Sequence, residues 1–327
     1  MLLLLAAASL DAAAAALRLA GETMGTRYSL SVRNPTLPAA ELQAEIDALL
    51  EDINDAMSTW RPTSELSRLN QTADTAWIAL SPALHEVLTA AATVSAQTAG
   101  AFDATVGPVV NLWGFGPQTR VPVPPPADAL TAARARVGFR QLQLADAPPR
   151  ARKTRPDLYV DLSAIAKGYA VDRVAGWLAD RGHRDFMVEI GGEIVSRGHA
   201  EAGRPWQIGV AWPTPDSTDV ERVLSLGDTA LATSGDYQRY FEFEGKRYAH
   251  EIDPATGRPI EHALAAVTVL HASCMYADAY ATGLLVLGPT RGPALARELG
   301  LTALFLIRDG TSFRAVTTGE LAGEEAD

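Results

Sequence analysis

Residues 26–32, TRYSLSV, carry Tyr28, Leu30 and Val32 at every second position, and this period of two predicts a strand with one apolar face. The period then changes. In LPAAELQAEIDALLEDINDAMS, Leu42, Ile46, Leu49, Leu50 and Ile53 recur at helical spacing and predict an amphipathic helix. SPALHEVLTAAATVSAQTAG predicts a second helix, with Ser81 as N-cap, Pro82 in its first turn and Gly100 as its stop. DLYVDL reads as a short apolar strand, followed by SAIAKGYAVDRVAGWLADRG as a helix capped by Ser163 and ended near Gly182. The second half is richer in strands: FMVEI, PWQIGVAW, YFEFEGKRYAHEID and LAAVTVL, with glycine-bearing turns at IGGE and LATSGDY. YADAYATGLLVLG predicts a further helix, and the proline-bearing stretches 116–129 and 145–157 read as loops.

Hairpins mixed with long helices, without a regular strand-helix-strand period, predict an α+β fold with helices on one face of mainly antiparallel sheets. No composition break divides the chain, so residues 21–327 read as one unit, bilobed at most, behind a signal-like leader over residues 1–20. That leader pairs a short apolar run with small residues but has no basic start. It points to an exported or periplasmic protein. The apolar run is too short and interrupted to span a bilayer, so contact with a membrane would be peripheral.

Composition narrows the chemistry. With 47% hydrophobic residues in 327, the chain can bury a large core; its formal charge of -11 excludes nucleic-acid binding as the main task. The single cysteine, Cys274, excludes an intramolecular disulfide and lies too deep in the chain to be a lipid-bearing residue after the leader.

Several residues could carry chemistry, each with a bland alternative. Asp278 and Thr282 stand four apart in DAYAT, so their oxygens share one helix face and suit a hard cation; equally, the threonine could back-bond and the aspartate face water. Asp161 and Lys167 bracket a helix start, where free N–H groups and an ammonium favour phosphate, or where a capped helix simply carries a solvated lysine. Phe102, Trp113 and Phe115, among clustered glycines, would suit a flat heteroaromatic ligand or anchor a packed loop. Trp60 is a stacking ring or a core residue. Strand alternation puts Tyr248, His250 and Ile252 on one inward face, where His250 is an acid or base, or a satisfied buried histidine. The DPATG turn follows it.

The order of ETMGTRYS, MSTWRPTSELSRLN, GAFDATVGPVVNLWGFG, VDLSAIAKGYAVD, VEIGGE, ATSGDYQRY, YAHEIDPATGRP and VTVLHASCMYADAYATGLLVLG resembles the ApbE family of flavin transferases, from Glu22 to Gly288. The resemblance implies a magnesium-dependent enzyme with FAD in a central cleft. Such an enzyme transfers the FMN half of FAD to a Ser or Thr hydroxyl of an acceptor flavoprotein, typically a subunit of a membrane redox complex, and releases AMP. Matched position by position, Met24, Trp60, Ala101, Phe102, Asp103, Asp161, Lys167, His250 and Ile252 look like FAD contacts. The Ala164 carbonyl with Asp278 and Thr282 looks like the magnesium site, and His250 resembles the catalytic histidine. Trp60 stands where relatives often carry Tyr. Two rival readings are a magnesium-dependent FAD pyrophosphatase giving FMN and AMP, and a flavin-binding protein without turnover.

Overall fold

The computed structural model describes residues 16–117, 121, 123–201, 203–214 and 220–322. Its frame is an eight-stranded sheet, every neighbouring pair antiparallel, in the order Leu17–Thr23, Thr26–Val32, Phe186–Ile190, Glu193–Arg197, Thr229–Gly235, Leu264–His271, Thr302–Asp309 and Ser312–Thr318. The α+β expectation holds. Residues 17–20, assigned to the leader from sequence, pair with residues 29–32 and belong to the sheet; residues 1–15 lie outside the described residues.

The middle of the sheet is covered on both faces, which is why its strands are near-continuous apolar runs. In Thr302–Asp309, Ala303, Phe305 and Ile307 join the main core, while Leu304 and Leu306 join a second cluster with Trp206, Val210 and Leu224. Helices Ala39–Met57, Ala166–Asp180 and Cys274–Glu298 build the first face, and the hairpin Trp206–Ala211 with Val220–Leu226 builds the second. The predicted helix over Ala39–Met57 buries Leu42, Ile46, Leu50 and Ile53, with Leu49 at the margin. Ser81 caps Pro82–Gln97 by accepting from the Leu84 N–H at 3.2 Å.

Four local expectations fail. Residues 145–157, read as a loop from their prolines, lie largely in a hairpin, Leu142–Asp146 against Pro149–Lys153; Pro149 is the first residue of what is the middle strand of a three-stranded sheet, a position a proline tolerates. DLYVDL is not a strand. It crosses as irregular chain, held by the Asn70 side chain, which accepts from Val160 N–H and donates to Val160 O, both at 2.8 Å. Ser163 does not cap the helix behind it, because its N–H and Oγ both donate to Asp161 Oδ1, at 2.9 and 2.6 Å. LATSG of the predicted LATSGDY turn is likewise strand, and the turn comes only at Asp236.

A separate small core stands apart from the main one. Val109, Trp113, Leu130, Ala133 and Ile252 form it, with Phe115, Phe241 and Tyr248 packed against them.

Candidate active site

Gly168 sets the geometry of the charged centre. A Cβ there would sit 2.3 Å from the Cys274 carbonyl oxygen and 2.8 Å from Met275 Cα, so only glycine lets helices Ala166–Asp180 and Cys274–Glu298 cross in backbone contact. Asp172, one turn on, clamps the crossing. Its carboxylate accepts from the N–H groups of Cys274 and Met275, at 2.8 and 3.0 Å, and from Ser273 Oγ at 2.7 Å, and it complements the dipole at that helix start. The Gly168 N–H, which a regular helix would give to the Ala164 carbonyl, donates instead to Asp278 Oδ2 at 3.1 Å. Ala164 thus keeps a carbonyl without that donor, beside the Asp278 carboxylate.

Lys167 faces this carboxylate and pairs with Glu193 Oε2 at 2.6 Å. Burial pulls its ammonium down, but the charges of Asp278 and Glu193 outweigh that and hold it above the ordinary lysine value. It is therefore neither a solvated lysine nor free. Three buried carboxyls, Glu193, Glu251 and Asp278, lie within electrostatic reach of this one cation. Burial pushes all three up, Glu251 to about 8 with further help from the Asp278 charge. Three carboxyls around one ammonium can all ionise only if more positive charge arrives, which a bound cation would supply. Asp278 is only 3% exposed and the Thr282 hydroxyl lies 2.9 Å from Ser234 Oγ, so neither of the bland readings of this pair survives. A carboxylate, a carbonyl and a hydroxyl are hard oxygen ligands, and magnesium commonly takes few protein ligands beside water and substrate phosphates. The donor set fits that ion. Among the described residues no group of three His, Cys, Asp or Glu side chains could hold a metal, so the carbonyl and hydroxyl are needed.

His250 comes from the hairpin Tyr240–Phe243 with Lys246–Ala249. As alternation predicts, its side of the hairpin meets the small core: Tyr248 stacks on Trp113 at 5.5 Å and on Phe241 at 5.2 Å, and the His250 ring meets Phe115 edge-on at 6.3 Å. The DPATG turn is pinned by Trp113 Nε1, which donates to the Gly257 carbonyl at 2.8 Å. Trp113 and Phe115 thus stack on protein rings and are not an open platform. Burial and the nearby Arg239 charge push His250 down to about 4, so its ring is neutral at physiological pH.

The loop of Ala101, Phe102 and Asp103 runs beside the Asp161 segment, joined where Asp161 N–H donates to the Ala104 carbonyl at 2.7 Å. Asp103 accepts from Thr105 N–H and Oγ1 and from Phe139 N–H, yet burial still raises it. Phe102 packs inward against the Gly283 turn of the long helix, and Ile252 packs in the aromatic core, which leaves backbone as their exposed chemistry. Met24 sits at φ 50 in the two-residue turn with Gly25 and lines a groove of about 520 Å³ with Asn54 and Arg61. Trp60, next to Arg61, is 61% exposed and so is not a core tryptophan. The structure brings Ala164, Lys167, Asp278, Thr282 and His250 around one charged centre, with Asp161 and the Ala101–Asp103 loop beside it; Met24 lines a separate groove with Arg61, and Trp60 is the exposed residue before Arg61.

The sequence profile of the ApbE family matches residues 24–305, a span that takes in every site residue above. The chain belongs to the ApbE family. A relative from Vibrio cholerae named FAD:protein FMN transferase is 45% identical over 313 residues, covering 95% of this chain and 93% of the relative. One of the same name from Escherichia coli K12 is 38% identical, with coverages of 90% and 85%. Among solved structures, the flavin transferase ApbE of Vibrio cholerae superposes with a TM-score of 0.86 at 44% identity, covering 93% of this chain and 97% of the other. The apo flavinyl transferase ApbE of Pseudomonas stutzeri gives 0.84 at 38% identity, covering 93% and 94%.

In this ApbE chain, three groups escaped the sequence reading: Asp172, Glu193 and Glu251. Glu193 follows the glycine pair of IGGE, and Glu251 was placed by alternation on the face away from His250, although it is 8% exposed. The pairing of the hairpin ends with the His250 N–H on the Arg239 carbonyl, and past that point alternation no longer says which way a side chain points.

Proposed function

We propose that this chain transfers the FMN moiety of FAD to a Ser or Thr hydroxyl of an acceptor flavoprotein, in a magnesium-dependent reaction that releases AMP. The observation that carries it is the Lys167–Asp278–Thr282 centre, over-supplied with carboxyl groups, beside a neutral histidine, in a chain of the ApbE family. Asp278, Thr282 and the Ala164 carbonyl would hold the magnesium, which when bound neutralises pyrophosphate oxygens and eases attack at phosphorus. Lys167 adds a fixed point charge for the same oxygens. His250, neutral near pH 7, takes the proton of the incoming hydroxyl, a role commonly worth about 10²–10⁴ in rate. The Asp161 segment, the Ala101–Asp103 loop, Ile252, Met24 and Trp60 would line the FAD cleft, with Trp60, 61% exposed, available to cover the ring system.

A membrane redox subunit as acceptor, and an exported location, are further parts of this reading; the apolar and small residues of the first twenty positions support the second. No helix of the described residues is long and apolar enough to cross a membrane. The test is incubation with FAD, magnesium and a candidate acceptor domain, followed by in-gel flavin fluorescence after denaturation and the acceptor mass. A fluorescent band with an added FMN phosphoester supports transfer. Free FMN and AMP without labelled acceptor would mean hydrolysis, and unchanged FAD would mean storage.

A further inference from the structure

Both ring nitrogens of His250 face protein oxygens. The Arg239 carbonyl accepts the His250 backbone N–H at 3.0 Å and stands 3.1 Å from its Nδ1. A carbonyl only accepts, so in the neutral ring the proton is on Nδ1 and the lone pair is on Nε2. Nε2 is the nitrogen that looks toward Glu251, whose Oε1 lies 3.5 Å away. That gap is too long for a strong hydrogen bond in the resting ring and short enough for an ion pair once the ring is charged. Among the described residues the Glu251 carboxyl makes no hydrogen bond, although the residue is 8% exposed. A buried carboxyl without a donor is costly unless some state of the site supplies one.

We propose that Glu251 is a positioning residue for His250, its carboxyl receiving the Nε2–H that forms when the imidazole takes a proton from the acceptor hydroxyl. This rests on the transfer reading above. In that step the hydroxyl O–H bond breaks and the Nε2–H bond forms. The freed oxygen pair makes the new P–O bond to the FMN phosphorus, and the P–O bond to the AMP half breaks with its electron pair on AMP. The proton stays between Nε2 and Glu251 until AMP has left, then passes to solvent past the His250 side chain, which is 27% exposed. With Nδ1–H on the Arg239 carbonyl and Nε2–H on Glu251, both donors of the imidazolium are satisfied, which is the arrangement a transient cation needs in a recessed site. The other charged groups within reach of the ring are Arg239 and Lys167, both positive, so Glu251, once its carboxyl is ionised, is the group that offsets them.

Glu251→Gln keeps the shape and one acceptor oxygen but removes the carboxylate charge. In the full chain with FAD, magnesium and an acceptor domain, kcat should fall by about 10–100-fold, with the KM for FAD and the magnesium half-saturation unchanged. Glu251→Asp should recover part of the loss. ¹⁵N-histidine spectra of the wild type should show one Nδ1–H tautomer that vanishes in His250→Ala, and its Nε2 signal should move in Glu251→Gln. Wild-type kcat in Glu251→Gln, an unmoved Nε2 signal, or a rise in magnesium requirement in place of the kcat loss would each overturn the assignment. If the wild type labels no acceptor, the transfer reading fails by itself, while the ring spectra still decide whether Glu251 serves Nε2.

Discussion

The helix crossing at Gly168 and the hairpin that carries His250 hold their functional groups in opposite ways. At the crossing, two long helices touch backbone to backbone, and Lys167 and Asp278 stand on adjoining turns with almost no freedom. The hairpin is short, and it is held by rings, Trp113 against Tyr248 and Phe241, and by one carbonyl on the histidine. Burial acts on both but with opposite outcome, raising the carboxyls of the crossing and lowering the imidazole of the hairpin. The first region is a rigid frame crowded with carboxyls; the second is a recessed imidazole kept neutral. The proposed transfer would use both, fixed charge for the phosphate oxygens and a proton acceptor with room to meet a protein hydroxyl.

Substitutions should separate the two regions. Asp278→Ala removes the one carboxylate of the proposed magnesium ligands, and turnover at saturating magnesium should fall by about 10³-fold or more, a loss of at least about 4 kcal/mol of transition-state stabilisation. Its thermal stabilisation by magnesium should vanish as well. His250→Ala should cost about 10²–10⁴ in transfer rate but leave both that magnesium shift and FAD binding intact, as fluorescence titration would read. A His250→Ala protein that no longer answers to magnesium would join the two regions into one and break the contrast.

Trp113→Ala strikes the hairpin's support. The ring is 2% exposed and its Nε1 holds the Gly257 carbonyl, so the expected cost in urea unfolding is about 3–5 kcal/mol. Activity should drop with the hairpin, whereas the magnesium shift, which belongs to the crossing, should persist in the fraction that remains folded.

How far each region could be read from sequence follows from the same contrast. Asp278 and Thr282 stand out because a helix puts residues four apart on one face, and the strands Thr26–Val32 and Phe186–Ile190 because alternation is a local property. Tyr248 and His250 were aimed correctly for that reason. Glu193 and Glu251 left no such mark, since a lone carboxylate looks the same in a turn whether it meets water or a lysine ammonium. Gly168 was quoted but not understood, because its role depends on a helix more than a hundred residues later. DLYVDL misled because its apolar residues are buried from irregular chain, Val160 and Leu162 in the main core, and not from a sheet, and Pro148 and Pro149 hid a hairpin whose partner strand carries the alternation. Trp60 was open to two readings, and only its exposure decides between them.

The two pKa directions give the contrast a pH signature. Glu251 rises from 4.5 to about 8 on folding, so the folded state holds its proton more tightly, and the stability this contributes is complete below 4.5 and lost as pH rises through about 8. His250 falls from 6.5 to about 4, so its contribution is present above 6.5 and lost as pH falls toward 4. Between 4.5 and 6.5 the two oppose each other; above 6.5 only the carboxyl acts. Magnesium-free protein should therefore lose stability in urea titrations from pH 6.5 to 8, and Glu251→Gln should flatten that slope. An unchanged slope in the variant would assign the pH dependence to the carboxyls of the crossing instead.

The smallest effect belongs to Ser234, which reaches across from strand Thr229–Gly235 to Thr282 at 2.9 Å. Ser234→Ala deletes one neutral hydrogen bond worth about 1 kcal/mol and leaves the Thr282 hydroxyl in place. Because the helix backbone already holds Thr282 next to Asp278, the loss should appear as about a fivefold rise in the magnesium concentration for half-maximal activity, with kcat at saturation unchanged. A fall in kcat at saturating magnesium would mean that the orientation of this hydroxyl matters in the transition state as well as in binding. The crossing would then share with the hairpin a dependence on one well-aimed side-chain contact, and its rigidity would not be a matter of backbone alone.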